Sequence, residues 1–372
     1  MVSSLLQLAL RQRVLVVVIA FALALGGLYA FQTIPIDAFP DVTTVLVQVV
    51  TKAPGLSPEE IERFVTFPLE LQLTGAPGLV EVRSLSKVGL SMIDVIFEDQ
   101  VDIYLARQVV LERVLEVQDQ LPPGSISQLV PNTTGLGEVF QYVLKGPQDD
   151  AAGGLVTEQE LMMRRTLQDW LIRPLLKGLP DVVDVNSLGG FVKQYQVMVD
   201  PGLLRKYNLG LHDVFAAVQQ NNANAGGNIL EKNSERYIVR GVGLIKTVAD
   251  IEQIVVKEVG GTPVYVRDVA EVRIGSAIRH GAAVINGQQE TVTGIVLMLR
   301  GGNAREVVQA VKTKIDDIHA HKLLPDGLRI VPFYDRIELI TAALGTVYKA
   351  LLEGMLLVVV VLFLFLGNVR SA

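Results

Sequence analysis

GAPGLVEVRSL, residues 75–85, recurs as GLPDVVDVNSL at residues 178–188. The offset is a constant 103 residues, and Gly, Pro, Val, Val, Ser and Leu fall in register. A repeat at fixed spacing means one supersecondary unit used twice, so it is the first pattern to settle. Each copy follows a run with helical periodicity: SPEEIERFVTFPLELQL (57–73) before the first, TEQELMMRRTLQDWLIRPLLK (157–177) before the second. Each leads through a turn into an alternating stretch, LSMIDVIF (90–97) or KQYQVMV (193–199), which predicts a strand.

A second match lies further along. Ala106-Arg107-Gln108-Val109-Val110 opens a predicted helix that ends near LPPG, and Ala304-Arg305-Glu306-Val307-Val308 opens another that ends near LPDG. A short strand follows in each case, ISQLVP (126–131) or LRIVPF (328–333). With the alternating TTVLVQVVTK (43–52) in front, the first unit reads strand, helix, strand, strand, helix, strand. That is the split βαβ, ferredoxin-like order. The second unit has the same order: EVFQYVLK, helix, VVDVNSL, then TVTGIVLMLR, helix, LRIVPF. Its halves are separated by an insertion at about residues 191–275. The insertion has strands of its own (QYQVMVD, RYIVRG, TPVYVRDV) and predicted helices at HDVFAAVQQNN and TVADIEQIVV. Between them lies NNANAGGN, 221–228, expected to form a projecting tip.

Outside the repeat the chain turns apolar. Residues 14–31, VLVVVIAFALALGGLYAF, carry no charge, and none follows until Asp37. At about 1.5 Å per residue such a helix covers most of a bilayer's hydrocarbon core. A cleaved signal peptide competes, but the run is long and lacks an A-x-A-like site. A second apolar run, MLLVVVVLFLFL (355–366), extends backwards through TAALGTVYKALLEG, where Lys349 and Glu353 mark the expected interface. Arg11 and Arg13 precede the first span and Arg370 follows the second. Both ends are therefore expected in the cytoplasm, with residues 37–336 outside, which in a Gram-negative cell is the periplasm.

Composition agrees with apolar residues concentrated at a few places: 50% of the 372 residues are hydrophobic, yet 19% are charged. The net charge of −6 and the lack of any basic block argue against a nucleic-acid partner. With no cysteine, disulfides and thiolate metal sites are excluded. GxxxxGK[ST], HExxH and a nucleophile elbow are missing, and TGLGEV (134–139) holds only a lone GxG. The chain is thus not expected to be an enzyme or to hold a cofactor.

Two ferredoxin-like units between two membrane helices, the second unit interrupted, resemble the resistance–nodulation–division (RND) transporters. Local motifs are similar to the heavy-metal efflux branch, the copper/silver and cobalt/zinc/cadmium pumps. They are IPIDAFPDVT (34–43), GLSPEEIERFVTFPLE (55–70), RTLQDWLIRPLL (165–176), GGFVKQYQVMVDP (189–201), NNANAGGN, VLMLRGGNAREVV (296–308), FYDR (333–336) and LLEGMLLVVVVLFLFLGNVR (351–370). The resemblance implies residues 1–36 as cytoplasmic end and first membrane helix, and 37–133 as a first porter subdomain. Residues 134–190 with 276–334 would form a second porter subdomain, 191–275 half of a docking domain, and 335–372 the second membrane helix. It further implies a multi-pass inner-membrane subunit of a proton-driven tripartite pump exporting heavy-metal cations from the periplasm or cytoplasm. Its partners would be two further copies in a homotrimer, a periplasmic membrane-fusion adaptor, an outer-membrane channel, the lipid bilayer and the transported cation. The family's chains run on well past this length, so the sequence reads as about the first third of a pump, expected inactive alone. Two alternatives stay open: a drug-exporting RND pump, or a membrane-anchored periplasmic interaction module without transport.

The resemblance also directs the search for site residues. Acids of the second porter subdomain help line the cleft in zinc-type members, which points to Glu138 and Asp169; otherwise these are a surface acid and a helix ion pair. Arg83, after the first repeated strand, is a candidate gate at the cleft mouth. Asn221, Asn222, Asn224, Gly226, Gly227 and Asn228 are expected at an oligomer contact. The family's proton-relay acids lie in later helices, and neither span here offers one, Glu353 reading as structural. The seven methionines form no i,i+4 or Met-x-Met pair, so Met92, Met162, Met163, Met198 and Met298 are expected to fill cores. His212, His280, His319 and His321 lack carboxylates at ligand spacing, apart from Asp213 beside His212.

Overall fold

A computed structural model describes residues 12–33, 43–150, 156–232, 235–279 and 281–366. The chain forms two compact units: residues 1–147, 170–187 and 293–372 make one, residues 148–169 and 188–292 the other.

The first unit begins with helix α1, Arg13–Thr33, apolar over Val14–Gly27. Strand β1, Val45–Lys52, alternates as its sequence demands, with Val45, Val47 and Val49 buried on one face. Helix α2, residues 58–73, starts in a capping box: Ser57 Oγ accepts from Glu60 N, and Glu60 Oε2 accepts from Ser57 N. Strands β2, Leu79–Lys87, and β3, Leu90–Phe97, follow as a hairpin. Helix α3, Ile103–Val117, is capped by Asp102 and leads to β4, Ile126–Leu129. The sheet order is β2-β3-β1-β4, antiparallel throughout. Ile61, Val65, Leu69 and Leu73 of α2, spaced at i,i+4, and Ala106, Val110, Val114 and Val117 of α3 close one core over it. Each such large side chain contributes roughly 1.5–3 kcal/mol by burial.

The second sheet of this unit repeats the order. Strand β5, Glu138–Lys145, is central; α4, residues 158–177, precedes β6, Val182–Gly189. After the insertion come β14, Gln289–Met298, α8, Ala304–Ala320, and β15, Arg329–Asp335. The sheet has five strands: β14, β5 and β15 are neighbours in that order, and β14 is also paired by β6 and by the short β13, Ala283–Ile285. Val307, Val308, Val311, Ile315 and Ile318 are the buried stripe of α8. Gly294 lies opposite Tyr142 in the ladder, and any Cβ there would enter the buried tyrosine ring.

Both α2 and α4 widen to a π turn in mid-course, over Glu62–Thr66 and Gln168–Ile172. The cause is in the sequence. Pro68 and Pro174 each follow the turn by two residues and leave a carbonyl four positions back without its donor, so the coil opens by one residue.

The second unit carries the insertion. Strand β7, Lys193–Val199, leads to short α5, Pro201–Lys206, then α6, Leu211–Gln220. A hairpin follows, β8, Ala225–Lys232, with β9, Glu235–Gly241. Helix α7, Val248–Glu252, precedes β10, Val255–Val259, and β11, Thr262–Tyr265. Strand β12, Ala270–Ser276, pairs with β7, and β13, Ala283–Ile285, pairs with the start of β14. TVADIEQIVV is therefore not one helix: its β-branched end is a strand. The unit is also larger than the insertion at 191–275, because β13 and the first half of α4 belong to it.

Strand β15 passes without a linker into α9, Arg336–Leu366. Its 31 residues rise about 46 Å. Among the described residues one helix, Arg336–Phe365, is long and apolar enough to cross a membrane, and its apolar window is unburied. The basic residues Arg11 and Arg370, and most of IPIDAFPDVT, lie outside the described residues.

Candidate functional site

Asp169 sits in the π turn of α4. One oxygen, Oδ2, takes a hydrogen bond from Arg165 Nε at 2.7 Å, one helical turn back. Arg165 also donates from Nη1 to the Gly189 carbonyl at 2.7 Å. The other oxygen, Oδ1, is buried and has no hydrogen-bond partner. A carboxylate so placed is half committed: one oxygen is held by a guanidinium, the other keeps its lone pairs for a donor or a hard cation. The side chain is 23% exposed. Next to it Trp170, the chain's one tryptophan, is 81% exposed, carried outward by the same π turn.

Glu138 opens β5 and is exposed, with Oε2 accepting from Gln141 Nε2 at 2.8 Å. The ladder with β14 skips a residue here, pairing Leu297 with Glu138 and Val296 with Phe140, a bulge that re-aims the strand end. Glu138 and Asp169 belong to different units.

Arg83 lies on β2, exposed, and donates to Glu81 Oε2 at 2.7 Å. That bond raises the Arg83 pKa and lowers that of Glu81. Across the ladder Arg83 faces Asp94, whose Oδ1 accepts from Gln48 Nε2 at 2.6 Å. Arg83 therefore heads a polar row over three strands, and an exposed pair of this kind is cheap to break.

NNANAGGN is not the tip of the hairpin. Residues 225–228 begin β8, and it is the other end of that strand, at Lys232, that pairs with the start of β9 at Glu235. The asparagines make local hydrogen bonds. Asn221 Nδ2 donates to Ala217 O at the end of α6. Asn222 Oδ1 accepts from Ile245 N, and Asn224 Oδ1 from Gly243 N, both at 3.2 Å. These side chains continue the hairpin ladder where backbone pairing stops. Gly226 pairs with Arg240, and a bulge separates that pair from Ile229, so Gly227 and Asn228 fall within the irregular stretch. Among the described side chains of the hairpin, Ile229, Tyr237 and Ile238 are apolar and exposed.

Among the described residues no group of three or more His, Asp or Glu is placed to hold a metal ion. Met298 is buried as core filling requires, whereas Met163 and Met198 are exposed. His319 and His321 bond to backbone, and His280 lies outside the described residues.

Sequence reasoning missed the buried charges. Arg164 of α4 is fully buried and bidentate to Asp149, at 2.6 and 3.0 Å, and also meets Glu160. Burial opposes its charge, but the bonds to Asp149 and Glu160 win and raise its pKa. Asp184 on β6 is nearly buried against Arg173 and Lys177. Burial pushes its pKa up, and the Val185 N–H with the two cations overcomes this to leave it lowered. Only the Glu160–Arg164 spacing was visible beforehand, as an i,i+4 pair that reads as ordinary surface.

The same arrangement of elements exists in solved proteins. A heavy metal efflux pump in crystal form I superposes with a TM-score of 0.87 at 37% identity, covering 99% of this chain and 36% of that one. Protein HelA of Legionella pneumophila is 44% identical over 372 residues, all of this chain and 35% of its own length. The cobalt-zinc-cadmium resistance protein CzcA of Cupriavidus metallidurans is 43% identical over 374 residues, with the same coverage. The chain thus spans about a third of the length of the curated relatives it matches. With its residues 5–372 matching throughout, the chain belongs to the AcrB/AcrD/AcrF family.

Proposed function

We propose that this chain forms the membrane entry and first porter portion of a proton-driven exporter of heavy-metal cations. The observation that carries the reading is a neighbour order shared by the two sheets, β2-β3-β1-β4 in the first and β6-β14-β5-β15 within the five strands of the second, set in a chain that resembles a heavy metal efflux pump over 99% of this chain and 36% of that one. The two sheets are ferredoxin-like porter subdomains, and the unit around β7 to β12 is half of a docking domain. The helices α1 and α9 are membrane spans, with both chain ends cytoplasmic and the sheets periplasmic.

The pump works as a trimer with an adaptor and an outer-membrane channel. Helix α3 supports self-association: Tyr104, Leu111 and Leu115 are exposed at i, i+7 and i+11 on a helix whose opposite face is core. Asp169 is the stronger cleft carboxylate, because it keeps an oxygen uncommitted; Glu138 is a second, solvent-facing one. Arg83 gates by exchanging its Glu81 partner. Cleft opening is a shear between stiff subdomains.

The test is a chimaera in which residues 1–372 replace the matching third of Cupriavidus metallidurans CzcA. Tolerance to at least one divalent or monovalent metal cation should return in a sensitive strain, and Asp169→Asn should reduce it. A chimaera that reaches the membrane in full amount yet restores tolerance to no metal would refute the reading. Restored drug tolerance alone would favour the drug-exporting alternative.

A further inference from the structure

The edge of the second sheet is guarded by a histidine. Strand β15 ends the sheet order, with β5 on its inner side. The N–H of Ile330 points away from β5 and donates to His319 Nε2 at 3.1 Å. Two residues on, where the next outward N–H would fall, stands Pro332, which has none. Proline and histidine thus share the task of closing an open edge.

The histidine's share depends on a proton. To accept from a backbone N–H, Nε2 must carry a lone pair, and an imidazolium has a proton on both nitrogens. Histidine is the side chain whose ordinary titration falls between pH 5 and 8. His321, two residues away, makes the opposite kind of bond. Its Nδ1 lies 2.9 Å from the Asp317 carbonyl, so it donates, in either protonation state.

Helix α8 also holds the other end of β15. Lys312 forms an ion pair with buried Asp335 Oδ2, and Asp335 Oδ1 accepts from Ile337 N in the first turn of α9 at 2.8 Å. Arg336 is buried and donates to the Leu136 carbonyl. The strand that runs directly into α9 is therefore gripped twice by one helix, once by an ion pair and once by a neutral imidazole.

We infer that His319 is a proton-operated latch on β15. Protonation releases Ile330 and the first half of the strand from α8, while the Lys312–Asp335 grip at the α9 end stays closed. The charged groups on the surrounding elements are Asp316 and Asp317 on α8, Lys322 and Asp326 in the turn after it, Arg329 on β15, and Lys145 opposite Arg329 on β5. The latch is closed at higher pH and opens as pH falls.

Residue-resolved amide exchange on the whole chain in detergent, corrected for the intrinsic effect of pH, tests this. Ile330 should lose about tenfold or more of its protection between pH 8 and pH 5.5. His319→Gln, which offers a neutral acceptor, should remove that dependence, and His321→Gln should leave it as in the wild type. Nitrogen NMR of the wild type should find Nε2 of His319 unprotonated at pH 8. Equal loss of protection in wild type and His319→Gln, or constant protection in the wild type, overturns the latch.

Discussion

Thr66 offers the sharpest test of what anchors the π turn of α2 to its sheet. Its hydroxyl lies 2.8 Å from both Ser86 Oγ and Ser91 Oγ. Ser86, Ser91, Thr51 and Ser127 are register partners across β2, β3, β1 and β4, a row of hydroxyls spanning the sheet under the helix. Thr51 Oγ1 donates to Ser127 Oγ at 3.0 Å, and Thr66 closes the other half of the row. Thr66→Val keeps the shape and removes both bonds. Ser91, 1% exposed, is left with a buried unpaired hydroxyl, a loss of about 1–3 kcal/mol. Ser86 is half-buried and turns to water, at roughly 0.5 kcal/mol. The new methyl returns at most about 0.8 kcal/mol. The net loss is therefore about 1–2.5 kcal/mol, read as a lowered urea midpoint at unchanged slope by far-ultraviolet circular dichroism in mild detergent. Adding Ser91→Ala should recover about 1 kcal/mol, since replacing both partners leaves nothing unsatisfied. A loss under about 0.5 kcal/mol, or simple additivity in the double variant, would refute the hydroxyl row as the anchor of the π turn.

Other expectations follow from the same geometry. Arg164→Ala removes the buried bidentate partner of Asp149, 2% exposed, and should destabilise the second unit by about 3–5 kcal/mol in the same assay, whereas Arg164→Met with Asp149→Leu should cost far less. Asp184 titrates below its ordinary value of 3.8 in the folded chain. Its contribution is complete above that value and is lost as pH falls through the lower folded value, so Asp184→Asn should flatten an acid-denaturation curve below about pH 4. Gly190 has φ +67, and a Cβ would lie 2.6 Å from Val292 Cγ2 and 3.0 Å from the Leu161 carbonyl. Gly190→Ala should lower the melting temperature by more than Gly124→Ala, whose φ of +84 is set in open space; the expected losses are about 2–4 against about 1 kcal/mol.

Much of this chain was legible before any coordinates. The repeat at residues 75–85 and 178–188 located β2 and β6, because a strand entered from a Gly/Pro turn keeps the same local chemistry in both copies. Alternation gave β1 and β3, since one buried face forces a period of two. The long apolar stretch of α9 was equally plain. Other features need neighbours distant in sequence. Arg164 reads as a surface residue until Asp149 closes over it. Asn222 and Asn224 read as a projecting tip until the segment 243–245 runs alongside and takes up their oxygens. Asp169 was named from the chain, but its uncommitted oxygen follows from the π turn and from Arg165, whose second bond is to Gly189. Sequence by itself determined the elements of the two repeated units and their order, because periodicity and turn chemistry act within a few residues. Which charges are buried, which hydrogen bonds remain open and which histidine accepts rather than donates were decided by tertiary structure alone, because desolvation and pairing depend on what the fold brings to the other side.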